Sequence, residues 1–392
     1  MIRKSKNMTD VLPMFAKNKF AIACSSSAEY APYLSVYLQS IKEHASSKNT
    51  YDIIVFESSW TDELRKKITD YFNSDNFSVR FVNPEYLFDG VDLYTTHSYF
   101  KRECYFRISA PEILNHYDKI LFTDIDLVAM NDIANIFKLD LNGNVIAASL
   151  EPIYKNFYYA NRTIAGINIR EYTDDVLQIK PEKYYNTGVL LIDVKKYLQQ
   201  KVFYKLLDLI KENRFIYQEQ CALNKFFRNK ITTLSIEWNY EVDRAVIDNP
   251  KYSRNITNVN ICHFLGRQKP WFFPNGTYCD VWWNYARRTP FYEEIESRKN
   301  KNDIQLELLD LRNELANVHF VNINNRFVQN EENIKLLFVM NHMLYFKLKK
   351  WFYKIICLFT FGSKRDKYKQ KVFKLRDLIK NVRKFRHHLF KG

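Results

Sequence analysis

The chain has 392 residues, 46% of them hydrophobic, with only 8 glycines and 10 prolines; this excludes a fibrous or largely disordered protein and leaves enough apolar material for a large core. Its formal charge is +15, but residues 335–392 hold 17 Lys and Arg against 2 acidic residues, and the 334 residues before them are neutral, with 42 of each sign. The basic excess therefore belongs to a C-terminal tail and calls for an anionic partner of that tail, not of the globular part.

In chain order, FAIAC (20–24) reads as a short buried strand, followed by a helix from Tyr30 to His44 with Leu34, Leu38 and Ile41 on one face. YDIIVF (51–56) is a strand, and a helix opens at Thr61 with Glu63 in its first turn. SVRFV (78–82) is a third strand. A helical pattern runs between Tyr99 and His116, with Pro111 as a break or kink, and KILFT (119–123) is a fourth strand that ends at Asp124. Strand and helix alternating over 120 residues argue for an α/β fold with a mostly parallel twisted sheet flanked by helices. NVIAAS (144–149) and TGVLLID (187–193) are further strands, helices cover 194–212 and 217–227, and NVNICHF (258–264) is a late strand. Trp271–Tyr292 is aromatic without a clear period. From Asn302 the pattern changes: Ile304, Leu308, Leu311 and Leu315 form a two-heptad seam, a helix packed on its own domain or a candidate homodimer contact over 302–316. Residues 336–361 mix large apolar side chains with Lys347, Lys349, Lys350 and Lys354, which suits a helix lying in a membrane interface and not one crossing it.

The expected organisation is a catalytic domain over 18–298, a helical linker or short coiled coil over 299–334 and a basic, aromatic, membrane-associating helical tail over 335–392. The neutral body and the Phe- and Trp-rich tail favour an anionic lipid surface over nucleic acid. Cys24, Cys104, Cys221, Cys262, Cys279 and Cys357 form no C-x-x-C pair, so neither a zinc ribbon nor a redox motif is expected, and a reducing compartment is the simpler reading. Residues 1–17 lack an apolar run of signal-peptide length, and no stretch of about 18 residues is apolar and free of charge.

In an open parallel sheet, ligands bind beyond the carboxyl ends of the strands. Asp124-Ile125-Asp126 lies at such an end. Two carboxylates so spaced can face one hard divalent cation, which then neutralises a diphosphate; a solvated strand-end turn is the plainer reading. His263 closes another strand in CHFLGRQKPW. A buried structural His is its plainer reading, but with Gly266 allowing close backbone approach and Lys269 supplying charge it makes a coherent diphosphate site. Neither a G-x-G-x-x-G nor a Walker A sequence is present, which argues against dinucleotide and P-loop proteins.

YDKILFTDIDLVAMNDIANIF, YYNTGVLLIDVKKY, YQEQCALN and CHFLGRQKPW occur in this order and resemble glycosyltransferase family 8 over about residues 18–290. The resemblance implies a Rossmann-like GT-A fold and a retaining transfer of glucose or galactose from a UDP-hexose to a saccharide, such as a lipopolysaccharide or other glycolipid, with Mn2+ or Mg2+. It also implies roles for particular residues. Asp124, Asp126 and His263 would hold the metal, and Gly266 and Lys269 would meet the diphosphate. Arg107 would reach the donor, Asn186 and Thr187 would line the sugar pocket, Gln220 would stand nearest the anomeric carbon, and Ile125 would sit by the ribose. Two positions depart from the family pattern. Ser27 and Glu29 replace an Asp/Asn-containing stretch that holds base and ribose. Glu219 stands where aspartate is common, which moves its carboxylate by about 1.5 Å. The rival reading is a degenerate GT-A scaffold that binds sugar nucleotides without turning them over. The tail would place the protein on the inner face of the cell membrane.

Overall fold

The computed structural model describes residues 11–16, 19–94, 102–266 and 269–299, and in the C-terminal stretch residues 347, 349–351, 353–354, 369–372, 374, 376 and 379. The chain divides into two compact units, Met1–Glu296 and Ser297–Gly392. In the second, the described residues from 347 to 379 are helical. The expected seam at 302–316 and most of 336–361 lie outside the described residues. Among the described residues no helix is long and apolar enough to cross a membrane.

Among the described residues, the first unit has twelve strands: β1 (Lys19–Ser25), β2 (Thr50–Phe56), β3 (Phe77–Val82), β4 (Lys119–Thr123), β5 (Leu127–Ala129), β6 (Ile146–Leu150), β7 (Thr163–Ile164), β8 (Ile167–Asn168), β9 (Tyr185–Asp193), β10 (Ile231–Leu234), β11 (Tyr240–Glu241) and β12 (Ile261–His263). Seven of them form the main sheet in the order β10-β6-β9-β4-β1-β2-β3. β1 to β4 run parallel where they pair, as do β6 and β10, while β9 is antiparallel to both its neighbours.

The strands read as unbroken apolar runs because both faces are covered. Ile22, Ile53, Val55, Leu121 and Leu191 face one core. Ala21, Ala23, Ile54, Phe122, Leu190 and Ile192 face the other. Helix α1 (Ala31–His44) packs on the first side, where Tyr33 stacks on Trp271 at 4.1 Å between ring centres. Helix α2 (Asp62–Phe72) is capped by the Thr61 hydroxyl, which accepts from the Leu64 N–H at 3.2 Å. The segment expected to be helical around Pro111 is a 3-10 turn at Arg102–Tyr105 leading into helix α3 (Phe106–Ile113), which contains Pro111 and packs on the second side.

Three differences from the sequence reading have physical reasons. The helix expected over 194–212 is two, Val194–Gln199 and Val202–Glu212, because Lys201 adopts a left-handed backbone (φ 53°). Trp271–Tyr292 contains the helix Cys279–Ala286, whose Trp282 and Trp283 are buried among other aromatics. β5, β7, β8, β10 and β11 went unread because a strand of two to four residues outside a longer apolar run carries little usable period. The five described cysteines, Cys24, Cys104, Cys221, Cys262 and Cys279, are free thiols.

A second, three-stranded sheet, β11-β12-β5, positions the site. β5 begins at Leu127, directly after the Asp-x-Asp turn, and pairs antiparallel with β12, placing His263 opposite Leu127. The Phe264 N–H donates to the Asp126 carbonyl at 3.0 Å, and the Asp124 N–H to the Gly188 carbonyl at 2.8 Å. The Asp-x-Asp turn is thus stitched to β9 on one side and to the end of β12 on the other.

Candidate active site

Asp124, Asp126 and His263 converge at the ends of β4 and β12. One ligand atom from each lies within 4.8 Å of the others. His263 Nε2 is 3.2 Å from Asp126 Oδ1 and 3.6 Å from Asp124 Oδ2. The imidazole is fully buried, and Nε2 has no hydrogen-bond partner. A buried nitrogen without a partner, aimed at two carboxylates, fits an ion with oxygen and imidazole ligands.

Asp124 and Asp126 are held by different cations. Arg107 is buried and donates to one Asp124 oxygen and to the Thr187 carbonyl and hydroxyl. Its Nε lies 3.1 Å from Glu219, close enough for an ion pair but not aligned as a hydrogen bond. Lys269 donates to Asp126 and to the Phe264 carbonyl, the latter at 2.6 Å. Burial would push the Asp126 carboxyl up, but the charge of Lys269 outweighs it and holds the carboxyl below the ordinary range.

The Gln220 carbonyl accepts from the Thr187 N–H at 3.0 Å and the Thr187 hydroxyl at 3.4 Å, and its amide donates to Tyr184 Oη at 3.2 Å. Asn186 was expected to line the sugar pocket. Its side chain is engaged behind His263: Oδ1 accepts from the Gly188 N–H (2.8 Å) and from Asn239 Nδ2 (2.9 Å), and Nδ2 donates to Glu151 (2.7 Å). Ile125 is buried between the two aspartates. Ser27 is buried with no partner for its hydroxyl, whereas Glu29 is exposed. Gly266 lies exposed in the turn after β12, with φ 67°.

Four residues of the site escaped the sequence reading. Gly188 is required by space: a Cβ there would meet His263 Cε1 at 2.3 Å, Asn186 Oδ1 at 2.8 Å and Asp124 Oδ2 at 2.9 Å. The β6–β9 register shifts between Ala148 and Ser149, so β9 bulges where it carries Thr187 and Gly188. Asn239 accepts from His263 Nδ1 at 2.8 Å. Glu151 and Glu241 are buried beyond the two asparagines. Burial pushes both carboxyls up, and in Glu241 the charge of Glu151 adds to it. Neither Glu241 oxygen meets a hydrogen-bond donor. The one sequence signal was a polar residue inside an apolar run, as in WNYE and NTGVLL.

Solved structures of this architecture are glycosyltransferases. The bifunctional glycosyltransferase WbbM is similar with a TM-score of 0.63 and 22% identity, covering 74% of this chain and 53% of WbbM. The galactosyltransferase LgtC, solved with donor and acceptor sugar analogs, has a TM-score of 0.55 and 23% identity, over 69% of this chain and 96% of LgtC. Identities this low establish a shared fold, the GT-A architecture. Residues 21–274 match the profile of glycosyl transferase family 8, and the chain belongs to that family. Among curated relatives, the lipopolysaccharide 1,2-glucosyltransferase of Escherichia coli K12 is 28% identical over 43% of this chain and 49% of its own length. GlyF of Streptococcus pneumoniae is 25% identical over 64% of this chain and 58% of its own. GlyE of the same organism is matched over only 37% of its length, so the alignments cover part of each of these relatives.

Two outcomes follow from the geometry. Gly188→Ala should destabilise the fold by about 1–3 kcal/mol in denaturant melts, because backbone and three packed side chains must give way. Gly266→Ala, with nothing within 4 Å of its Cβ, should show only the backbone cost of a positive φ, about 1 kcal/mol. Equal effects at the two positions would contradict the packing. Burial pushes the Glu219 carboxyl from its ordinary 4.5 up to about 7, against the lowering pull of Arg107. The folded chain therefore keeps a proton that the unfolded chain has released. The stability this adds is full below the unfolded value and is lost as pH rises through the folded one. Glu219→Gln should gain on wild type more at about pH 8 than at about pH 5, and a gap that does not widen with pH would refute the assignment.

Proposed function

We propose that this chain transfers glucose or galactose from a UDP-sugar to a saccharide acceptor with retention of configuration, with Asp124, Asp126 and His263 holding Mn2+ or Mg2+. The observation that carries the reading is the bare, buried Nε2 of His263 aimed at the two carboxylates of the Asp-x-Asp turn. A divalent ion so held would neutralise the donor diphosphate and the charge that grows on it as it leaves.

The residues divide the remaining work. Lys269, on the loop after β12, is drawn to Asp126 and is placed to pass its charge to phosphate oxygens, alongside the open backbone of Gly266. Arg107 braces Asp124 from behind and adds positive charge on the donor side. Ser27, with Glu29, offers its unpartnered hydroxyl to a base or ribose edge, and Ile125 and Thr187 pack against ribose and sugar. Asn186 and Glu219 support the sugar pocket from within the wall.

Retention by double displacement needs a carboxylate nucleophile at the anomeric carbon. Gln220 is an amide fixed at both ends, and Glu219 is buried beside Arg107 and holds its proton up to about pH 7. Both argue for attack by the acceptor hydroxyl on the face the leaving group departs from. The bond from the anomeric carbon to phosphate oxygen breaks, the bond to acceptor oxygen forms, and the departing phosphate oxygen takes the acceptor proton.

The acceptor in this reading is a lipopolysaccharide or other glycolipid glycan. The names of the E. coli relative and of LgtC's acceptor analog support a saccharide acceptor, and the basic, aromatic tail supports one bound at a lipid surface. The protein would sit peripherally on the inner face of the cell membrane, held by 335–392.

Asp126→Asn should abolish Mn2+-dependent transfer from UDP-glucose or UDP-galactose, and Lys269→Ala should lower turnover at least about tenfold while changing acceptor affinity little. Full activity of Asp126→Asn, with EDTA inhibiting neither protein, would refute the metal role. For the tail, full-length protein should bind anionic liposomes better than neutral ones, with partial release in high salt. Replacing Lys347, Lys349, Lys350 and Lys354 with Gln should weaken that binding, since each basic residue near an anionic leaflet contributes about 1 kcal/mol; binding indifferent to lipid charge would contradict the anchor.

A further inference from the structure

We propose that Asn239 and Asn186 are positioning residues that hold His263 in the tautomer whose Nε2 presents a bare lone pair to Asp124 and Asp126, in a relay anchored at the backbone amide of Gly188 and at the Glu151 carboxyl. The inference rests on the metal reading above and deepens it.

The polarity of the relay is fixed at its backbone end. The Gly188 N–H can only donate, so the Asn186 atom 2.8 Å away is the carbonyl oxygen. The other end of that amide is then NH2, and it points at Glu151 at 2.7 Å, where an acceptor waits. The Asn239 atom 2.9 Å from Asn186 Oδ1 must likewise donate and is the NH2 group. That turns Asn239 Oδ1 toward His263 Nδ1 at 2.8 Å. An oxygen acceptor there requires Nδ1 to carry the proton, which leaves Nε2 of the neutral ring bare. Reversing either amide would set two donors or two acceptors face to face.

The environment prevents water from substituting for this chain of bonds. Asn186, Asn239 and His263 are 4%, 1% and 0% exposed. The Gly188 N–H also belongs to the bulge of β9, and the carbonyl of the same residue accepts from the Asp124 N–H. The same short segment of β9 therefore fixes both an Asp-x-Asp backbone and, through two amides, the protonation pattern of the histidine facing it. Partners behind a ligating histidine commonly alter metal affinity by 10–100-fold.

The test uses the full chain with 15N-labelled histidine. Metal-free wild type should show His263, identified by its loss in His263→Gln, protonated at Nδ1 and bare at Nε2 in its two-bond 15N–1H correlations. Asn239→Leu removes the acceptor and should lose that pattern and weaken Mn2+ binding about 10–100-fold by EPR titration without donor. Asn239→Asp still accepts from Nδ1–H and, with a proton on the oxygen that faces Asn186 Oδ1, keeps both ends of the relay; it should keep the tautomer and bind Mn2+ within about threefold of wild type. A wild-type ring protonated at Nε2, or Asn239→Leu binding Mn2+ as tightly as wild type, would overturn the relay. If wild type binds no Mn2+, the metal reading fails, and the tautomer seen in the metal-free chain still decides the relay. The wild-type spectrum also decides it if Asn239→Leu does not fold.

Discussion

Two carboxylates and an imidazole lone pair brought within 4.8 Å repel one another, and only positive charge among them makes the arrangement stable. The fold supplies part of that charge itself. Arg107 neutralises Asp124 from inside the protein, and Lys269 approaches Asp126 from the loop after β12. The two cations differ in kind. Arg107 is locked by Thr187 and lies 5.4 Å over the Phe122 ring, so it is part of the wall. Lys269 reaches the site on a flexible stem and shares its ammonium with a single carbonyl. An ion and a diphosphate arriving at the site would displace Lys269 far more readily than Arg107.

Much of the architecture exists to maintain this convergence. β4 delivers the two aspartates, but a strand end alone does not aim them. The Asp-x-Asp backbone is tied to β9 through Gly188 and to β12 through Phe264. The three-stranded sheet β11-β12-β5 then forces His263 to lie opposite the residue that follows the aspartates. The approach is so close that a methyl group at position 188 would overlap the imidazole. Glycine is needed there for space and not for an unusual φ, unlike Gly266 in the following turn.

The main sheet could be read from sequence because its strands are buried on both faces and so appear as apolar runs between helical periods. β1 to β4, β6 and β9 all fall within a few residues of where hydrophobicity places them. The candidate metal cluster was also accessible: Asp124 follows the apolar strand KILFT, Asp126 lies two residues on, and the family resemblance joins them to His263 at the end of another strand. What the sequence could not show was the wall behind them. Asn239 is the single residue between the 3-10 turn Ile236–Trp238 and β11, and the pocket role that the resemblance implies for Asn186 says nothing of its bonds to Asn239 and Glu151 on the bulged β9. Lys269 was assigned to phosphate by charge alone, and its pairing with Asp126 depends on a loop geometry that composition does not encode. The carboxyl pair Glu151–Glu241 joins residues ninety positions apart, and each in isolation looks like an ordinary surface acid.

That carboxyl pair and Glu219 share a consequence for the chemistry. The site holds several carboxyl groups, yet burial raises all three of these, and Asp124 and Asp126 are already paired with cations. A nucleophile must be ionised and close to the sugar carbon at the same time. Glu219 reaches ionisation only near neutral pH, and there it faces Arg107, which draws its charge away from the pocket. Gln220, its neighbour on the helix Gln218–Phe226, has no charge to give, and both its amide groups are occupied. On the proposed reading, the wall is therefore electrically quiet where the sugar would lie and strongly polarised where the phosphates would lie. In the mechanism proposed above, such a division would favour leaving-group departure over covalent capture and would leave the acceptor hydroxyl to enter on the same face.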